Sequence, residues 1–173
     1  NNWIMDKIAT QKVYNNDYNK VAETKYYYDN LGLRGVDTGD LTKIEIWNDN
    51  GDNAVSYFDY DIFGNVIRNI DSYGNKINYG YDNNIHTYLV YTINALGYIT
   101  SFDYDKATGN LDSTTKNGVM TSFYYDVFGR IKKEVLPYDS YSNPTKTYEY
   151  DFDGVSPEIV EIQLKTTGDN TNG

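Results

Sequence analysis

Cysteine is absent from the 173-residue chain, which removes disulfide frameworks, thiolate zinc clusters and thiol nucleophiles together. Histidine occurs once, at His86, and proline three times. One imidazole without a nucleophile set around it is no catalytic constellation, so His86 reads as a turn or surface residue. Basic residues are few: 15 Lys and Arg against 25 Asp and Glu leave a net charge of −10. That balance argues against nucleic acid, whose phosphates require clustered Lys and Arg, and against anionic membrane surfaces. No apolar run approaches the roughly 18 residues of a membrane-spanning helix, and no stretch reads as a secretory leader. The chain opens on Asn1 and not on Met. The expectation is therefore a piece of a longer protein whose targeting signals lie elsewhere.

What the chain has is tyrosine. Twenty Tyr bring the aromatic share to 16%, and each ring that is buried removes about 150–250 Å² from water. The tyrosines recur with a period. Tyr-Asp pairs stand at Tyr60-Asp61, Tyr81-Asp82, Tyr104-Asp105, Tyr125-Asp126 and Tyr150-Asp151, spaced by 21, 23, 21 and 25 residues. A second ring lies two residues before each: Phe58, Tyr79, Phe102, Phe123 and Tyr148. Spacing of i, i+2 puts both rings on one face of a strand, and the simplest role for them is core. Extra rings at Tyr57, Tyr73, Tyr98 and Tyr124 are expected to face outward or into a lumen. Seven residues before each Tyr come Asn53, Gly74, Gly97, Gly118 and Asn143, and four residues after it come Gly32, Gly64, Gly129 and Gly154. Gly109 is displaced by one residue, and the Tyr81 copy carries Ile85-His86 instead, so its turn must differ. Gly and Asn tolerate φ > 0, which marks both sets as turn positions.

Each unit thus reads as strand, tight turn, strand, tight turn. One such hairpin is marginal alone; neighbours in series can share an aromatic face. The fold class expected is all-β: antiparallel hairpin repeats in an extended sheet curled by strand twist, with no convincing amphipathic helix. Outside the regular copies, Asn1 to Lys12 reads as a strand then a turn, with a short helix as the alternative, and Asn15-Asn16-Asp17 as a turn. Val21 to Asp29 and Leu41 to Trp47 read as strands, as does Glu158 to Lys165. The domain reading is an opening strand and turn region over 1–23, a repeat array over 24–154, and a further strand with a frayed polar tail over 155–173.

The chemistry visible in the repeat has a plain explanation. Asp61, Asp82, Asp105, Asp126 and Asp151 recur in like settings, whereas acid–base work needs two unlike carboxylates in one cleft; each is expected to cap the turn that follows it. Asn48 to Asn53 and Asp151 to Ser156 carry oxygen ligands two residues apart around a Gly, as calcium loops do, but lack the closing bidentate Glu; plain turns are preferred, and no cofactor is expected. Aromatic rows can also stack on sugars.

Tyr124-Tyr125-Asp126-Val127-Phe128-Gly129-Arg130-Ile131 resembles the YD repeat of the RHS family, as do Tyr60 to Val66 and the turns Asp71 to Asn75 and Asn94 to Gly97. Ile85 to Val90 followed by Thr92 to Gly97 is similar to the RHS-rich B components of insecticidal toxin complexes, as are Asn2-Trp3 and Val21 to Asp29. The likeness covers roughly residues 2–165. It implies a strip of a long sheet that spirals into a hollow shell around a C-terminal toxic domain, in a protein secreted or displayed at the cell surface. The family's self-cleaving C-terminal core has no counterpart in the sequence. The piece is then wall, not enzyme. Its partners are neighbouring repeats of the same polypeptide and the enclosed cargo, with no nucleic acid and no membrane insertion. The alternative reading is a surface-exposed adhesion module that binds carbohydrate or another protein. On either reading the working residues are architectural: the ring pairs, the Asp that follows each, and the turn glycines, with Gly154 the last of them.

Overall fold

A computed structural model describes residues 6–151, 154 and 159–165. It contains no helix among them. The strands are β1 (Thr10–Tyr14), β2 (Lys20–Tyr28), β3 (Leu41–Ile46), β4 (Ala54–Tyr60), β5 (Val66–Ile70), β6 (Lys76–Tyr81) and β7 (Leu89–Ile93). They continue as β8 (Ile99–Tyr104), β9 (Leu111–Lys116), β10 (Val119–Tyr125), β11 (Ile131–Val135), β12 (Lys146–Asp151) and β13 (Ile159–Leu164). The chain divides into two compact units, Asn1–Gly97 and Tyr98–Gly173. In the first, β1 to β7 form an antiparallel meander in chain order. In the second, β8 to β13 do the same. The all-β hairpin array predicted from the Tyr-Asp period is what the chain adopts.

Three expectations need correction. Among the described residues the first strand begins at Thr10, so the end of the Asn1 to Lys12 stretch is strand where a turn was expected; Trp3, Ile4 and Met5 lie outside the described residues, as does most of the Asp151 to Ser156 loop. Second, Asn53, Asn143 and Gly32 do not take positive φ, although Gly64, Gly74, Gly97, Gly109, Gly118 and Gly129 do, between 77° and 83°. At Asn53 a side chain does the work instead, its Oδ1 accepting the Asn48 N–H at 3.1 Å. In the first long loop the left-handed positions are Asp29, Asn30, Arg34 and Gly39, at 55°, 57°, 74° and 95°.

The third correction concerns the core. Of the expected ring pairs, Phe58, Tyr60, Tyr79, Tyr81, Phe102, Tyr104, Phe123, Tyr125, Tyr148 and Tyr150 are all half-buried. Tyr28 at 9% and Val135 at 8% exposure are the buried apolar residues among those described. The rings share a face, as the i, i+2 spacing requires, but a sheet layer covers its own rings only from the sides; closing a core takes a second layer. The off-register rings behave as expected: Tyr57, Tyr73, Tyr98 and Tyr124 are exposed.

Gly80 shows why a strand interior tolerates glycine here. It pairs directly with Tyr91 across β6 and β7, and a Cβ at Gly80 would meet Tyr91 Cε1 at 2.1 Å. The ring lies over the gap, an arrangement that shields bare backbone. Gly80→Ala must evict the ring and is expected to cost about 1–3 kcal/mol, read as a lower urea midpoint at unchanged slope.

Candidate functional site

The Tyr-Asp dipeptide is the repeated site, and each half does a separate job. The tyrosine sits at a register shift. Pairing slips between Tyr27 and Tyr28, Asp59 and Tyr60, Gly80 and Tyr81, Asp103 and Tyr104, and Tyr124 and Tyr125. Such a bulge bends the strand and breaks the regular ladder. After it, Tyr28, Tyr60, Tyr104 and Tyr125 face Leu41, Val66, Leu111 and Ile131, each the first residue of the next strand.

Those same four residues receive the tyrosine of the following unit. The Tyr60 hydroxyl donates to the Leu41 carbonyl at 3.0 Å, Tyr81 to Val66 at 3.2 Å, Tyr125 to Leu111 at 2.9 Å and Tyr150 to Ile131 at 2.8 Å. At the start of the array Tyr28 donates to the Ile8 carbonyl at 3.0 Å. Apart from Tyr28, each of these phenols therefore hooks the strand that stands opposite the previous unit's tyrosine. Burial pushes the phenols of Tyr28, Tyr60, Tyr81, Tyr104 and Tyr125 above their ordinary range, so they stay protonated donors at neutral pH.

The aspartate closes the turn. Asp61 Oδ1 accepts the N–H groups of Phe63 and Asn65, both at 2.9 Å, while Asn65 Nδ2 donates to Oδ2 at 3.0 Å. Asp126 repeats this with Phe128 at 2.9 Å and Arg130 at 3.0 Å, the Arg130 guanidinium replacing the amide. Asp71, on the opposite set of turns, holds Tyr73 and Asn75 in the same way. Asp105 takes the Ala107 N–H at 2.8 Å. In the irregular turn Asp82 takes four, from Asn84, Ile85, Thr87 and Tyr88. The Ile85 amide above all, with those of Tyr88, Thr87 and Asn84, holds the Asp82 carboxyl well below the usual carboxylate range. The turn after Asp151 lies outside the described residues.

His86 is a turn residue, as expected, at φ 55°. It also bridges two turns: its ring stacks on Phe63 with centroids 3.9 Å apart, and its carbonyl accepts Asn65 Nδ2 at 2.7 Å. The loop after β2 is built on Asp29, which accepts the N–H groups of Asp37, Thr38, Gly39 and Asp40 and the Thr38 hydroxyl. Burial alone would raise that carboxyl; the Thr38 hydroxyl and the amides of Asp37, Gly39 and Asp40 outweigh it and hold the group well below the usual range. Buried Thr42, at 6% exposure, ties the same loop to the sheet by accepting the Asn30 N–H at 2.9 Å. In Asn48 to Asn53, Asn48 Oδ1 accepts the Asn50 N–H at 3.2 Å, a plain Asx turn. Among the described residues no group of three or more metal-ligating side chains forms.

On the other face of the sheet, Glu45 lies between Lys25 at 3.0 Å and Lys43 at 3.5 Å, and also accepts Tyr27 and Asn53. The Lys25 bond leads these in pulling the Glu45 carboxyl down to about 2. Its unfolded value is about 4.3. The lowered folded value stabilises the fold fully above pH ~4.5, and that stability is lost as pH falls through the folded value. Asp29 and Asp82 act with the same sign. The melting temperature is expected to be flat from pH 7 to about 5 and to fall below about 4.5, with E45Q shallower in acid than the unmodified chain.

Asp capping was legible from Asp followed by Gly. The residue after that Gly, Asn65, Asn75 or Arg130, was missed as the second clamp on the carboxylate, although Asp-x-x-Gly-Asn/Arg stands in the sequence. The carbonyls that take the phenols leave no side-chain signal.

No protein-family profile matches the chain, and no curated protein matches it by sequence. Solved structures do. The crystal structure of TcdB2-TccC3-Cdc42 superposes over 93% of the chain with a TM-score of 0.56 at 16% identity. TcdB2-TccC3 gives 0.55 at 15% over the same share, and TcdB2-TccC3 without its hypervariable C-terminal region gives 0.58 at 16%. The chain spans about a tenth of those proteins, 9%, 10% and 9% in turn. Over its sheet, the chain has the RHS-like fold of the Tc toxin-complex structures.

Proposed function

We propose that the chain is a length of wall from a hollow β-shell in a secreted protein, and that the shell encloses a C-terminal toxin or effector. The observation that carries this is the self-directed chemistry of the repeat. The hooked phenols bond to backbone and the turn aspartates to their own turns. A unit that uses its polar groups on its own backbone builds a continuous surface, and continuous surface is what a container requires. The fold likeness to TcdB2-TccC3 supports the same reading. The mechanism is mechanical isolation of cargo, with no step of bond making.

Adhesion is the second reading, favoured by rings exposed at turn tips: Tyr73 at 90% and Phe128 at 79% exposure. Reading the parent gene on both sides of this segment separates the two. The shell predicts many more Tyr-Asp-x-x-Gly units and then an unlike C-terminal domain. Repeats that stop soon and give way to a wall anchor or membrane segment overturn it in favour of adhesion. A glycan array on the purified chain is expected to show no saturable binding.

A further inference from the structure

We propose that a cleft of about 520 Å³ in the first unit, walled by Tyr26, Tyr28 and Tyr60 and flanked by Asp6 and Asp40, binds a small organic cation of the quaternary-ammonium class. The cleft is of the size that takes small molecules, and its walls are set in advance. Tyr28 and Tyr60 are pinned by their hydroxyls to the Ile8 and Leu41 carbonyls, so they line the cleft without a rotamer left to freeze. A hydroxyl already bonded to backbone does not compete for a ligand's polar groups; the ring is what remains to bind with. Aromatic faces attract cations through their quadrupole.

The charge around the cleft has the matching sign. Asp40 is engaged by the Thr38 hydroxyl at 3.3 Å. Asp6 meets Lys7 at 3.9 Å, and its side chain is 79% exposed. Both carboxylates are felt at the wall: besides burial, Asp40 raises the Tyr60 phenol, while Tyr26 and then Asp6 raise that of Tyr28. Lys7 is the opposing charge at the rim. A bare metal ion needs several converging oxygen ligands, and no group of three or more His, Cys, Asp or Glu that could hold one forms among the described residues. A soft, weakly hydrated cation needs rings and a nearby negative field, which the cleft supplies. This site is independent of the shell reading, since it lies within one unit and involves no cargo.

The test is titration of the chain with choline and, in parallel, with its neutral isostere 3,3-dimethylbutan-1-ol, at matched ionic strength, followed by proton NMR of the tyrosine rings. Choline is expected to shift a subset of ring signals saturably at millimolar concentration, and the neutral isostere to bind about tenfold more weakly. Asp40→Asn and Tyr26→Leu are each expected to weaken choline severalfold. Asp6→Asn, at an exposed site, is expected to weaken it less while leaving the fold unchanged. Absence of saturation, equal binding of the two compounds, or undiminished choline binding in Asp40→Asn overturns the proposal.

Discussion

Replacing Tyr28 by alanine is expected to cost about 3–4 kcal/mol, the largest loss of any single ring among the described residues. Tyr28 is the most buried of the repeat tyrosines, at 9% exposure, and three contributions fall together when it goes. Its ring leaves a gap on the sheet face; the Ile8 carbonyl loses its donor; and the register slip between Tyr27 and Tyr28 loses the ring that stands at it. Tyr28→Phe keeps the ring and removes only the hook, and is expected to cost about 1 kcal/mol. The half-buried Tyr104 is expected to lose about half as much as Tyr28 on truncation, short of a true core ring. Tyr57, at 47% exposure on the opposite face, serves as the control, with a loss under about 0.5 kcal/mol. Urea midpoints of the four variants check the order. Equal losses for Tyr57→Ala and Tyr28→Ala would remove the hooked face as the stabilising element.

Asp29→Ala is the second large effect, expected at about 2–4 kcal/mol. Four backbone amides and one hydroxyl converge on this carboxylate, and removing it leaves those donors to water or to nothing. The loop from Asn30 to Asp40 should open while the strands on either side stay paired, because Thr42 and the β2–β3 ladder do not depend on it. Hydrogen exchange separates loop from sheet: amides of Thr38, Gly39 and Asp40 are expected to lose protection, and that of Ile44 to keep it. Asp29→Asn retains an acceptor but not the charge, and is expected to fall between the two. The two variants also divide the acid sensitivity, since the lowered Asp29 carboxyl adds stability above its unfolded value of about 3.9 and loses it below.

The sequence announced the hairpin period because turn and strand chemistry are local. Asp61 followed by Gly64 specifies a capped turn whatever surrounds it, and Phe58 and Tyr60 must share a face whatever that face meets. The phenol hooks were hidden because their partners are backbone carbonyls at Leu41, Val66, Leu111 and Ile131, which no residue type encodes. They depend on which residues the pairing sets side by side, and register is a property of two strands. The overestimate of burial has a similar root. Spacing says that Tyr79 and Tyr81 lie on one side of β6, but what covers that side is set by elements far away in the chain. Asp29 was passed over because its loop is longer than the others, and its five donors come from residues eight to eleven positions downstream. His86 was placed in a turn, yet its contact with Phe63 joins two turns that sequence spacing alone does not bring together.

The most direct test of the wall reading is electron cryo-microscopy of the full polypeptide encoded by the parent gene. The account predicts a closed, hollow body in which this strip forms part of the wall and density for the C-terminal segment lies inside. An extended strip or stalk that encloses no volume, with the C-terminal segment outside, would contradict it.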